Sequence, residues 1–418
     1  MARGAHPAIA PDHEGDGVYP WVAVATLFLL VFLFWGGYSS FGVFLGPLSR
    51  EFGWSRGLVS TALTINLMIG GVLGLGIGTL TDRYGPRALM TVAALALVAG
   101  FLLMSWTSHL WQLYLSIGFL AGLGISCAYI VPTATVSRWF HKRRGLALGI
   151  VLTGIGAAYM VGPPFTASLI ESHGWRFAYR VLAVIIGLGA VPLALTLRRP
   201  PARDEAATGK ATSTTVRQAL GTSAFWAMFA VWTTLGLSLM AVVVHLVPHA
   251  TDRGIPLTAA STALTIYGVS NIAGRVSFGV LVDRVGAKPA YALCVVLQTV
   301  GIIGVLGAST LPAFYAMTAL FGLGAAGADT VAIKTTPDLF GTAAVGAFIG
   351  ILSLGWRAGA AAGPAIAGFV FDASGGYLMA FLPMALIGLA AGLLFLRIRS
   401  PRQATEGSLH GESGYHEA

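Results

Sequence analysis

The chain has 418 residues, of which 56% are hydrophobic and only 10% charged, with 25 Lys and Arg against 16 Asp and Glu. Soluble domains carry about 25% charged residues, so the composition excludes a water-soluble enzyme and points to a polytopic membrane protein embedded in the lipid bilayer. The formal charge of +9 lies mostly in segments between apolar runs, which sets nucleic acid aside as a partner.

Residues 1–18 read as a polar N-terminal tail, and the first apolar run is too long for the core of a cleavable signal. Twelve runs long enough to cross a bilayer follow. They lie at 21–47, 57–80, 88–106, 111–137, 145–170, 177–197, 224–249, 258–282, 288–308, 311–336, 343–370 and 377–397, and are called spans 1 to 12. The predicted fold class is an all-α membrane protein with twelve transmembrane helices in two pseudo-symmetric six-helix bundles. The bundles cover 19–198 and 222–398, with a hydrophilic linker at 199–221 and a polar tail at 399–418. Loops after spans 2, 4, 6 and 8 hold most of the Lys and Arg. The positive-inside rule therefore predicts a plasma or inner membrane protein with both termini in the cytoplasm.

Along the chain, few polar residues fall inside spans. Span 1 carries Tyr38, span 4 carries Cys127 and Tyr129, and span 5 carries Ile155 and the pair Gly162-Pro163. His245 and His249 stand one turn apart near the end of span 7; they can titrate in a useful range, or simply anchor that end at the interface. Span 8 holds Arg275, eight residues before Asp283, which at about 1.5 Å per residue is roughly 12 Å deep. A charge there costs roughly 2.5–3.5 kcal/mol on insertion scales, so it must face a cavity or a partner. Tyr267, Asn271 and Arg275 recur at every fourth position and form one polar stripe. A lone cation on such a stripe suggests a small-anion site.

Span 9 adds Cys294, which like Cys127 reads as a small apolar side chain and not as half of a disulfide. Span 10 contains Asp329, the one acid deep in a span, and Lys334 within a turn of Asp338. Intramembrane charges usually pair, so Asp329 is expected to meet Arg275 or Arg357. Arg357 lies mid-way along span 11 and either joins the anion site or braces backbone carbonyls. Gly322-Leu-Gly-Ala-Ala-Gly327 fits a dinucleotide fingerprint but sits inside an apolar span, where glycines serve close helix packing. No metal-ligand cluster, catalytic triad or cofactor motif appears.

The chain repeats at an offset of 200 to 201 residues. Gly78-Thr-Leu-Thr-Asp82-Arg83-Tyr-Gly85 returns as Gly279-Val-Leu-Val-Asp283-Arg284-Val-Gly286, Gly122-Leu-Gly124 as Gly322-Leu-Gly324, and Gly162-Pro163 as Gly363-Pro364. Two six-helix halves of this kind belong to transporters whose site lies between the halves near the midplane.

These motifs resemble the major facilitator superfamily, whose loop pattern is met by Gly78, Leu80, Asp82, Arg83, Gly85 and Arg87. Asp82 and Arg83, with Asp283 and Arg284 in the second copy, can latch one conformation where helices meet the cytosol. They can also simply form a tight turn. Trp139-Phe140-His141-Lys142-Arg143-Arg144-Gly145-Leu146-Ala147-Leu148-Gly149 is similar to the signature before helix 5 of the monocarboxylate transporter family. Asp16-Gly17-Val18-Tyr19-Pro20-Trp21 is similar to that family's helix 1 signature, with departures at 18 to 20.

The resemblance implies proton-coupled transport of lactate, pyruvate or a related short acid, with substrate and proton as partners and no cofactor. It matches the family's substrate Arg to Arg275. The Asp that precedes it by four residues is here Asn271, and the helix 1 Lys of animal relatives is absent. Local similarity to family binding positions adds Tyr38, Tyr129 and Ile155. Arg275 can grip a carboxylate through its planar fork, whereas Asn271 can donate but cannot carry a proton. With Arg357, the arrangement also resembles oxalate–formate antiporters, which carry cations in helices 8 and 11 and would suit a dicarboxylate. Drug efflux and a non-transporting sensor are further alternatives, and the sequence specifies no accessory subunit.

Overall fold

A computed structural model describes residues 18–140, 143–199, 216–340 and 345–398, and helices account for nearly all of them. In hydrocarbon every backbone N–H and C=O must be paired within its own segment, which leaves the helix as the available answer for apolar runs of this length. Span 1 folds as Val18–Ser39 followed by Phe41–Phe52. The Ser39 and Ser40 hydroxyls both donate back to the Gly36 carbonyl, at 3.2 and 2.8 Å, the side-chain competition that bends a helix. Spans 2 and 3 run through Arg56–Ser105 and are broken at Gly85, with φ 81 and ψ 162. Span 4 is Leu110–Leu113, a π-helical turn at Tyr114–Leu120, then Ala121–Trp139. Spans 5 and 6 are Arg144–His173 and Trp175–Thr196.

After a short helix at Val216–Leu220, spans 7 to 9 are Ser223–Asp252, Leu257–Val285 and Ala287–Gly307. Spans 10 to 12 are Leu311–Phe340, Val345–Ser374 and Leu378–Arg397. Gly286 closes span 8 at φ 84, ψ 169, the same Gly-only conformation as its repeat partner Gly85. Ten stretches among the described residues qualify as membrane-crossing on length and apolarity alone. Span 8, whose polar stripe Tyr267, Asn271 and Arg275 lowers its apolarity, is not among them.

The halves meet along two helix pairs, span 2 against span 11 and span 5 against span 8, with the second part of span 1 against span 7. Small residues allow the close approach: a Cβ on Gly42 would lie 2.5 Å from the Val244 carbonyl oxygen, and one on Gly268 would lie 2.9 Å from that of Gly156.

The two ends of the bundle differ. At the end carrying the odd-numbered loops, one hydrophobic core runs from spans 1–6 into residues such as Val244, Leu264, Phe314 and Phe381 of the second half. At the end carrying the even-numbered loops, the second half keeps a core of its own, including Phe225, Phe278, Val331 and Phe395. Every hydrogen bond or ion pair found between the halves among the described residues lies towards the odd-loop end. Among the described residues the halves are therefore bonded to each other at the odd-loop face and not at the even-loop face.

Candidate functional site

Helical spacing puts Tyr267, Asn271 and Arg275 on one face of span 8, and they form a bonded chain. Asn271 Nδ2 donates to the Tyr267 hydroxyl at 3.2 Å, and Arg275 Nε donates to Asn271 Oδ1 at 3.2 Å. Arg275 Nη2 then pairs with Asp329 Oδ2 on span 10 at 2.9 Å. An arginine offers five N–H donors; here Nη1 has no hydrogen-bond partner among the described residues. Half of the Arg275 side chain (50%) is exposed, against 22% of Asp329. Tyr129, from span 4 of the opposite half, lies within electrostatic reach of Arg275, Asp329 and Arg357.

Arg357 crosses from span 11 to span 2 at a point where span 2 has no side chains. A Cβ on Gly70 would stand 3.0 Å from its Nη1, and one on Gly71 would stand 4.0 Å from its Cδ. Tyr38 and Tyr129 are within its electrostatic range, and no hydrogen bond or ion pair of Arg357 occurs among the described residues. Ile155 is half-buried against the shared core, next to Gly156 at the crossing of spans 5 and 8. The structure thus joins Arg275, Asn271 and Asp329 directly, puts Tyr129 within electrostatic range of Arg275, Asp329 and Arg357, puts Tyr38 within range of Arg357, and places Ile155 in the packing where spans 5 and 8 cross.

The two loop-motif copies behave alike. Asp82 pairs with Arg138 at the end of span 4, and its carbonyl accepts from Arg199. Asp283 pairs with Lys334 of span 10 at 2.7 Å. Lys334 bonds Asp283 and the Gly279 carbonyl, also at 2.7 Å. Arg83 lies 5.2 Å from the Tyr84 ring, while Arg87 and Arg284 are exposed. These ties stay within each half. Gly78 has open space around its Cα.

At the odd-loop face the repeat builds a closed gate that the sequence reading did not assemble. Asp372, ending span 11, accepts from the backbone N–H of Arg56 and Gly57 at 2.9 and 2.8 Å, capping span 2. Glu171, at the matching point of span 5, accepts from Thr258 N at 3.0 Å, capping span 8. A carboxylate at a helix N-terminus meets unpaired N–H groups and the positive end of the dipole. Arg56 also holds Asp252 through two bonds, at 2.7 and 2.6 Å.

Beyond geometry, the family model described as Major Facilitator Superfamily matches residues 27–256 and 234–413. The chain belongs to the major facilitator superfamily. Within it this facilitator is monocarboxylate transporter-like. It is 28% identical to monocarboxylate transporter 13 of Bos taurus over 374 residues, covering 88% of this chain and 86% of the relative. It is 28% identical to monocarboxylate transporter 11 of Homo sapiens, covering 93% and 85%. A crystal structure of a bacterial homologue of the human lysosomal transporter Spinster, inward-facing and unoccupied, superposes with TM-score 0.74 at 14% identity, covering 91% of this chain and 97% of that one. The facilitator is accordingly a multi-pass membrane transporter and not an enzyme.

One signal for its odd-loop gate was present in the sequence. Glu171 and Asp372 stand at the repeat offset, as do Glu51 and Asp252. Glu51 binds Arg176 and the Trp175 indole within its own half, whereas Asp252 reaches across to Arg56. Acids at equivalent ends of equivalent spans mark the gate. Gly70 and Gly71, which make room for Arg357, carried no such mark, because small-residue faces recur throughout the chain.

Proposed function

We propose that this facilitator carries a short-chain monocarboxylate such as L-lactate or pyruvate together with a proton, by alternating access of its two halves. The observation that carries the reading is the Arg275–Asp329 pair, with Nη1 of Arg275 left over and half of the side chain open to the space between the halves. A substrate carboxylate entering there takes the free N–H groups of Arg275 as a charge-assisted fork and competes with Asp329 for the cation. Asp329, losing its partner, accepts the co-transported proton. The acid that the family places on helix 8 is Asn271 in this chain, and Asp329 supplies that function from span 10. Asn271 holds Arg275 in register, and Tyr267 holds Asn271. Tyr38, Tyr129, Ile155 and Arg357 form the far wall.

A bare anion moving into a negative-inside cell opposes the membrane potential by about 2.3 kcal/mol per 100 mV, and one proton removes that term. The even-loop face, rich in Lys and Arg, is assigned to the cytoplasm of a plasma or inner membrane protein, with both termini on that side. The Asp82–Arg138 and Asp283–Lys334 ties then brace the inner ends of each half.

The test is uptake of radiolabelled L-lactate into proteoliposomes with and without an inward proton gradient, for wild type and Arg275→Ala. Gradient-stimulated uptake that disappears in the variant supports the reading; normal uptake by the variant overturns the site. Arg357, which has no ion pair among the described residues, favours a second reading as a dicarboxylate exchanger. Uptake that needs preloaded anion and requires Arg357 would select it.

A further inference from the structure

His245 lies on span 7, fully buried at the contact between the halves. Its ring is held from three directions. Nε2 is 2.8 Å from the Pro364 carbonyl oxygen, which can only accept, so Nε2 carries the hydrogen. Ser60 Oγ of span 2 stands 3.3 Å from the same nitrogen. Nδ1 is 2.9 Å from the Tyr377 hydroxyl, and Arg56 Nη1 donates to that same hydroxyl oxygen at 2.6 Å. Tyr377 therefore accepts from Arg56 and gives its own proton to Nδ1, which closes a donor–acceptor chain only when His245 is neutral.

The charged and titratable groups around the ring are Arg56 from span 2, Asp372 from span 11, Asp252 from span 7 and Tyr377 at the start of span 12, with His249 5.4 Å from the Tyr377 ring. In the closed state both carboxylates are occupied, Asp252 by Arg56 and Asp372 by the N-terminus of span 2. A second ring proton would point at a hydroxyl already receiving Arg56 and leave the Tyr377 proton without its acceptor. Separation of the halves changes this. Arg56 and Ser60 leave with the first half, while Tyr377, Asp252 and Asp372 stay beside His245. The departing group is the cation, and the groups that remain are two carboxylates released from their partners. Water also gains access to the ring.

We propose that His245 is a proton-binding site whose protonation favours the conformation open at the odd-loop face. A ligand shifts an equilibrium only by its difference in affinity for the two states, and the change of partners at His245 supplies that difference. If the odd-loop face looks outward, external acid would both load the carrier with protons and present it to substrate. The inference rests on the alternating-access reading above but not on the identity of the substrate. It is therefore tested on the substrate-free protein.

Spin labels are placed at the exposed Ser172 and Ser309, one on each half at the odd-loop end, with Cys127 and Cys294 replaced by alanine. Distance distributions are recorded in lipid nanodiscs between about pH 5 and 8, where histidine charge changes. The population at the longer distance should rise as pH falls, by no more than about tenfold per unit, the limit for one proton. His245→Gln should flatten that response and His249→Gln should preserve it. Should His245→Gln fail to fold, Tyr377→Phe, which removes the shared hydroxyl, should weaken the response. A pH-independent distance in the wild type, an unchanged response in His245→Gln or Tyr377→Phe, or a response that follows His249 would overturn the proposal. A pH-dependent distance in a protein that carries no L-lactate would sink the substrate reading alone.

Discussion

Arg275 on span 8 and Asp329 on span 10 form an ion pair with Nη2 and Oδ2 2.9 Å apart, and the cation is the more exposed partner. A pair in which the charge facing the cavity is the arginine leaves an anion-binding edge available while its carboxylate holds it in place. Buried pairs lose heavily when one partner alone is removed, because the other charge stays behind.

Asp329→Asn should therefore separate the two transport activities. The variant keeps a hydrogen-bonding side chain beside Arg275 but cannot take up a proton. Exchange of labelled for unlabelled L-lactate across proteoliposomes should persist, while stimulation of net uptake by a proton gradient should vanish. Undiminished stimulation would remove Asp329 from the proton path.

Gly70 should tolerate little bulk. A Cβ there would sit 3.0 Å from Arg357 Nη1, the end of a flexible side chain that can shift by a few tenths of an ångström. Gly70→Ala should consequently retain most activity, and Gly70→Leu should displace Arg357 and reduce transport by at least about tenfold, equivalent to about 1.4 kcal/mol. Initial uptake rates at matched expression in membranes decide the point. Equal rates for alanine and leucine would show that the position of Arg357 does not matter.

Asp372→Asn and Glu171→Gln weaken the two caps that close the odd-loop face. Loss of a helix cap costs about 0.5–2 kcal/mol, so each variant should raise the population open at that face by roughly twofold to thirtyfold. The reaction rate of a maleimide with a cysteine placed at Ser60, buried against His245 of the opposite half, reports this directly. Similar increments from both acids are expected, since each caps a span of the opposite half.

Gly359 packs against the backbone of Thr233 where spans 7 and 11 cross, with no room for a Cβ. Gly359→Val should lower the thermal unfolding midpoint in detergent strongly, as overpacking of about 1–3 kcal/mol or more, and reduce yield. At Gly78, which faces open space, Gly78→Ala should leave the midpoint unchanged. Comparable midpoints for the two would contradict the packing at the crossing.

The sequence by itself determined that the protein crosses the membrane many times, that it is built from two related halves, and that the charge of Arg275, deep in a span, needs a partner within the protein. Each follows from a rule that acts locally: apolar run length, repeat offset, and the cost of a charge in hydrocarbon. The stripe Tyr267, Asn271, Arg275 was equally legible, because helical spacing alone puts those side chains on one face. Tertiary structure decided which acid meets which cation. Asp329 could reach Arg275 or Arg357 as far as spacing goes, and only the packing of span 10 against span 8 makes the choice. It likewise turned Lys334 to Asp283 and buried His245, whose position near the end of span 7 suggested an interfacial anchor. Ion pairs and gates form between segments far apart in the chain, at distances set by how helices cross, and crossing geometry is a property of paired surfaces that no single span contains.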